Sequence, residues 1–175
     1  MSHNRIVALG VLLVVALSLP FYGRTWNHFM HVLGAVLFLG NLIISAVWMN
    51  LARRSGNAEA LRLGVRGVIL TDALFTTPGA LLLLINGGIL ASPYFKTSWH
   101  WLAAGIALWL ASGIVYGAAV IPTQKKLAQV MARVPPGGPV PAECAALIKR
   151  WNRFGGIATL LPLVALLLMV FKPAF

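Results

Sequence analysis

The sequence predicts an all-α fold, a polytopic transmembrane helix bundle of five spans in which one N-terminal span precedes a four-helix core of two hairpins. Three observations predict it. Apolar residues make up 59% of the chain and charged ones 10%, against roughly 45–50% and 25% in soluble domains. The apolar residues gather in five blocks, each close to the ~20 residues that carry a helix across ~30 Å of hydrocarbon. The blocks are continuously apolar rather than alternating over ~10 residues, which selects helices over barrel strands and lets each segment satisfy its own backbone polar groups.

The first span, about 6–22, follows Arg5 and contains the small residues Ala16 and Ser18. The same pattern resembles a secretory signal peptide, but five crossings agree with the loop charges, so a retained span is expected. The second span, about 26–48, opens behind the cluster WNHFMH. At 100° per residue His31, Gly34, Phe38, Asn41, Ser45 and Trp48 share one face, the width of a buried helical stripe. Asn41 and Ser45 read as interhelical glue and Gly34 as a point of close approach. The third span, about 68–91, carries Asp72, the only acidic residue in any span, with Thr71, Thr76 and Thr77 beside it and a Pro78-Gly79 pair expected to kink the helix beyond. The fourth, about 99–121, follows SWHW and shows a stripe of His100, Ala104, Ala107, Ala111 and Ala118 with Trp109 opposite. The fifth, about 155–171, carries Pro162. Spans two and four both enter behind aromatic and histidine residues, and spans three and five both follow an arginine and contain a proline. That weak repeat predicts two hairpins in the same orientation.

The net charge of +11 is no nucleic-acid signal, because it sits in two loops. Arg53, Arg54, Arg62 and Arg66 lie between spans two and three; Lys125, Lys126, Arg133, Lys149, Arg150 and Arg153 lie between spans four and five. The opposite loops hold only Arg24 and Lys96. The positive-inside rule then gives a multi-pass membrane protein with a cytoplasmic N-terminus and an outer C-terminus, and attraction to anionic lipids accounts for the surplus. The second basic loop contains the breaker run VPPGGPVP, which predicts helices on both sides of a Pro/Gly turn. The single Cys144 cannot form an internal disulfide.

Polar groups within spans carry the functional reading. For Asp72 the expected partner is Arg66 or Arg153, a buried ion pair, with a proton-relay acid as the alternative. His31 and His100 come out near the outer leaflet on helices that lie diagonally in an up-and-down bundle. Diagonal histidines are able to sandwich one haem iron, and His28, one turn above His31, competes for the role. His28, Met30, His31 and His100 also offer copper ligands. Phosphate loops, HExxH and CxxC motifs are absent.

From Trp26 to Pro173 the chain resembles the bacterial integral-membrane family of domain of unknown function 2269. The stretches that carry the resemblance are HVLGAVLFLGN, RGVILTDALFTTPGALLLL, IPTQKKLA and RWNRFGGIATLLPLVALLLMVFKP. His31 followed by Gly34, Phe38, Gly40 and Asn41 is similar to the first histidine-bearing helix of the haem-containing protoporphyrinogen oxidase and copper-resistance D membrane families. The ending MVFKPAF resembles the Lys-Pro close of the former. The resemblance implies that His31 is a haem-ligand position, although no lysine follows His100 until Lys125 to match the oxidase's lysine-bearing helix. The expected function is a b-type haem protein, with His31 and His100 (or His28) as ligands, passing electrons between a quinone or redox partner protein and an acceptor near the outer face. A non-catalytic membrane subunit or assembly factor and a copper-handling membrane protein are the alternatives.

Overall fold

The computed structural model describes residues 3–18, 22–94 and 99–173, with side chains from residue 8 onward. Its described residues form five helices: α1 (His3–Leu17), α2 (Arg24–Arg54), α3 (Ala58–Ala91), α4 (Trp99–Ala132) and α5 (Glu143–Phe171). Four of them, α2 to α5, are long and apolar enough to cross a membrane, with 29 to 34 residues each. At 1.5 Å per residue these reach ~44–51 Å, well beyond the ~30 Å of hydrocarbon.

The expectation of five spans is therefore met for four. Helix α1 has 15 residues, a length of ~22 Å, and is short for an independent crossing. It leans on α3. Asn86 of α3 donates to Ser18 Oγ at 2.8 Å and accepts from Asn27 of α2 at 2.9 Å, while Trp26 Nε1 donates to the Leu17 carbonyl at 2.8 Å. All three side chains of the Ser18–Asn27–Asn86 chain are buried, so each polar group finds its partner inside the protein.

Helices α2 and α3 form one antiparallel hairpin and α4 and α5 the other, and the two close on each other at the end that carries the basic residues. There Met49, Leu61, Val65, Leu127, Met131, Cys144, Ile148 and Trp151 make one continuous core. Arg62 clasps it: Nε donates to the Met131 carbonyl in the last turn of α4 and Nη2 to that of Val134 just past the helix, while Nη1 pairs with Glu59 at 2.7 Å. Asn57 caps the start of α3 by accepting from the Glu59 and Ala60 amides.

Helices α3 and α4 are each interrupted by one π-helical segment, Asp72–Thr76 and Tyr116–Val120. Proline explains both. A proline in a helix lacks the N–H and crowds the carbonyl four residues back, and widening that turn removes the crowding. Pro78 follows the start of the first segment by six residues (78 − 72) and Pro122 follows the start of the second by six (122 − 116). In each the amide just before the proline reaches five residues back, Thr77 to the Asp72 carbonyl and Ile121 to that of Tyr116.

Candidate functional site

The two π segments set their first residues side by side. Tyr116 faces Asp72 across the gap between α4 and α3, and both line the same cavity. Around the carboxylate stand donors, all neutral. Asn41 Nδ2 of α2 reaches Oδ1 at 2.9 Å and Thr76 Oγ1 reaches the same oxygen at 3.0 Å. Gln124 Nε2 of α4 reaches Oδ2 at 2.9 Å. Asn41 also donates to Thr76 Oγ1 at 2.8 Å, so both hydrogens of its amide are used. The expected charge pair is absent: Arg66 and Arg153 are exposed, and the one ion pair among the described residues is Arg62–Glu59. The reason is phase. Asp72 lies on the inward side of α3 with Val65 and Val68, whereas Arg66 falls about 100° away from Val65 and faces out.

Beside this cluster lies a cavity of about 320 Å³ whose walls include Asp72, Tyr116, Gln124, Ser45 and Trp151. The rest is mostly apolar, from Leu42, Ala46, Val120 and Leu163, with Gly155 and Gly156 on the α5 side. Ser45 Oγ and Trp151 Nε1 are buried and have no hydrogen-bond partner in the protein. Leaving a buried donor unpaired typically costs ~1–3 kcal/mol, so two on one cavity wall mark a place for an acceptor.

Of the residues singled out in the sequence, Asn41, Ser45, Phe38 and Gly34 occupy the buried face of α2. Trp48 does not; it is exposed, and Met49 takes the inward position. The buried stripe of α2 runs 27, 30, 34, 38, 41, 45 and 49, steps of three and four that keep to one face of an α-helix and that pass over position 48. On α4 the expected alanine stripe lies beside the buried face: Ala104 and Ala111 are half-buried and Ala107 and Ala118 exposed, while Trp101, Gly105 and Ser112 are buried. Ser112 donates to the Ala158 carbonyl of α5 at 2.6 Å.

The histidines sit in different surroundings. His31 is half-buried, its Nδ1 lies 3.2 Å from the Leu83 carbonyl, and its ring packs where a side chain on Gly87 would stand, 2.9 Å from Cε1. His28 and His100 are exposed, and His100 lies against Trp99 with ring centres 4.6 Å apart. Helix α2 packs mainly on α3 and α4 mainly on α5. Met30 is buried with Val14 and Leu82 between α1, α2 and α3. Among the described residues no three of His, Cys, Asp or Glu form a metal-sized group. These donors do not fit a bis-histidine haem or a His/Met copper set as they stand. At the same end Lys172 Nζ donates to the Tyr94 hydroxyl at 3.2 Å, and this lysine holds the exposed phenol below the ordinary tyrosine range.

Tyr116, Gln124 and Trp151 escaped the sequence reading. Gln124 lies past the fourth apolar block, in a stretch read as an extramembrane helix. The signals available were the equal offset of Pro78 and Pro122 from Asp72 and Tyr116, and the two-turn spacing of Tyr116 and Gln124 on one helical face.

A family model described as a predicted integral membrane protein, DUF2269, matches residues 25–173. No curated protein and no solved structure matches the chain.

Proposed function

The chain belongs to the DUF2269 family of predicted integral membrane proteins, and from that premise we propose that it binds and releases a proton at Asp72, within the membrane. The observation that carries this reading is the carboxyl group's surroundings: several neutral donors and no cation. A structural carboxylate inside a bilayer is normally neutralised by a basic partner, because an unpaired charge there is expensive. Here the missing counter-charge is a proton. The Thr76 and Tyr116 hydroxyls suit that role, since each is able to turn from donor to acceptor as the carboxyl gains its hydrogen. Asn41 and Gln124 hold the group in place in both states. The loop charges put the basic end, and with it the Asp72 end of the cavity, on the cytoplasmic side of a bacterial inner membrane with the N-terminus inside.

Infrared difference spectra of the protein in nanodiscs, recorded as pH is stepped, should show a buried carboxylic-acid band that grows as pH falls. Asp72→Asn should abolish it, and Glu59→Gln and Glu143→Gln should leave it. If the band is absent, or persists in Asp72→Asn, the relay reading fails and a purely structural polar knot takes its place.

A haem b protein exchanging electrons with a quinone or a redox partner is the second reading, and one observation favours it. A carbonyl oxygen accepts only, so His31 Nδ1 beside the Leu83 carbonyl carries the hydrogen and leaves Nε2 as a free imidazole nitrogen. With His100 exposed, the second ligand would have to come from elsewhere, and no step is derived through the group. Copper handling is weaker again, because Met30 turns into the α1 contact.

A further inference from the structure

We infer that the cavity between α2, α4 and α5 is a binding site for a neutral, membrane-soluble carbonyl compound about the size of one substituted ring, held through its oxygen by Ser45 Oγ and Trp151 Nε1. This goes beyond the proton reading and shares only the location with it.

The class of ligand follows from what the walls have left to offer. Trp151 Nε1 is a donor with no acceptor capacity, and Ser45 Oγ supplies a second hydrogen. Both are 4% exposed and both lack a partner. Of the other polar groups on the wall, Gln124 Nε2 donates to Asp72 and Thr159 Oγ1 to the Gly155 carbonyl. An ammonium ligand would need an acceptor, and the Asp72 oxygens already receive Asn41, Thr76 and Gln124. An anion would meet a carboxyl group in an apolar chamber. A ligand with a carbonyl oxygen and an otherwise apolar body satisfies both orphan donors and costs no charge burial.

Size and access agree. About 320 Å³ is at the lower end of pockets that hold small molecules, enough for a ring and too little for a long tail. Ile43 and Leu160 line the cavity and are themselves 49% and 61% exposed. They belong to the apolar, lipid-facing flanks of α2 and α5, so entry is from the hydrocarbon. On the α5 side the half-buried Gly155 leaves room: a Cβ built on it meets nothing within 4 Å. Gly155 is also one turn beyond Trp151 on α5, so a side chain placed there fills the chamber without displacing a neighbour.

The test uses the full chain in nanodiscs and, as probe, a 1,4-benzoquinone with a short alkyl tail, with retention measured against empty nanodiscs. Wild type should retain the probe saturably. Ser45→Ala and Trp151→Phe should each weaken retention about threefold to tenfold, the loss of one hydrogen bond, and Gly155→Leu should abolish it. Thermal melting of each variant checks that it is folded; Gly155→Leu replaces a helix-interior glycine and should melt no lower than wild type. The alkylbenzene of the same size, which lacks the oxygens, should bind at least as weakly as the quinone does to the Ser45→Ala protein. Equal binding of the alkylbenzene, or no retention above empty nanodiscs, or retention unchanged in folded Gly155→Leu, overturns the proposal; the last two would leave water as the occupant. Asp72→Asn separates the two readings, because loss of its infrared band with quinone retention intact supports both, whereas absence of the band with retention intact removes only the proton reading.

Discussion

His31 is where a single ring decides between two readings of the end of the bundle away from the basic loops. It lies one turn below His28 and against Gly87, with Nδ1 on the Leu83 carbonyl. If it ligates haem through Nε2, His31→Ala should remove the haem absorbance while membrane insertion survives, because insertion follows the hydrophobicity of the whole span. His100→Ala should leave that absorbance in place, since His100 is exposed and lies against Trp99. Wild-type protein produced with ample haem and purified gently, yet showing no absorbance, would remove the haem reading altogether. Residue by residue, the sequence made some of this legible and hid the rest. Asp72 stood out because an acid in a span is costly on any backbone, and Asn41 because it shared a helical face with other inward residues. Ser45 shared that face and read as glue, and Trp151 gave no signal, because a serine and a tryptophan are ordinary in membrane helices. Only three-dimensional packing shows that neither finds a partner.

At the level of elements, glycine and proline act through the backbone. Helices α2 and α3 cross with their main chains in contact at Gly34 and Gly79. A Cβ at Gly34 would come to 2.8 Å from Leu82 Cβ, and one at Gly79 to 2.7 Å from the Phe38 nitrogen. This is the small-residue packing that joins helices where lipid removes the hydrophobic driving force. Gly79→Ala should therefore lower the melting temperature in detergent, overpacking of this kind costing ~1–3 kcal/mol. Gly88→Ala, where a Cβ meets nothing within 4 Å, should leave it unchanged or raise it, by up to ~1 kcal/mol from helix propensity. Opposite ranking of the two variants would mean that the crossing is not where the structure puts it. The role of Gly34 was readable from its place on the stripe. The paired π segments were less so, because a proline announces a break without saying whether the helix kinks, stops or widens. The tight spacing from Asp72 to Pro78 and from Tyr116 to Pro122 becomes meaningful once both segments are seen to face each other.

The whole molecule joins two kinds of core. Toward the basic end, Leu61, Leu127, Met131, Cys144 and Ile148 are at most 1% exposed and pack as side chains do in a water-soluble domain. The helices reach this region by running past the apolar blocks: α2 ends at Arg54 and α5 begins at Glu143, because charged residues lower hydropathy without stopping a helix. Hydropathy alone thus fixed where the membrane is crossed and not where the helices end. The same geometry rules out Cys144 as an accessibility probe, since it is fully buried with Sγ 3.6 Å from Met131 Sδ. It also supplies better ones. Ser55, in the break between α2 and α3, and Ser92, just after α3, are both exposed and lie at opposite ends of one long helix. The basic residues Arg53, Arg54, Arg62 and Arg66 flank Ser55, whereas Arg24 and Lys96 are the only charges predicted near the other end between spans. With the basic end inside, a membrane-impermeant thiol reagent added to intact cells should label Ser92→Cys and leave Ser55→Cys unlabelled until the cells are opened. The native Cys144 should contribute no background under either condition. Labelling of Ser55→Cys alone from outside would invert the orientation, and labelling of both from outside would mean that α3 does not cross the membrane at all.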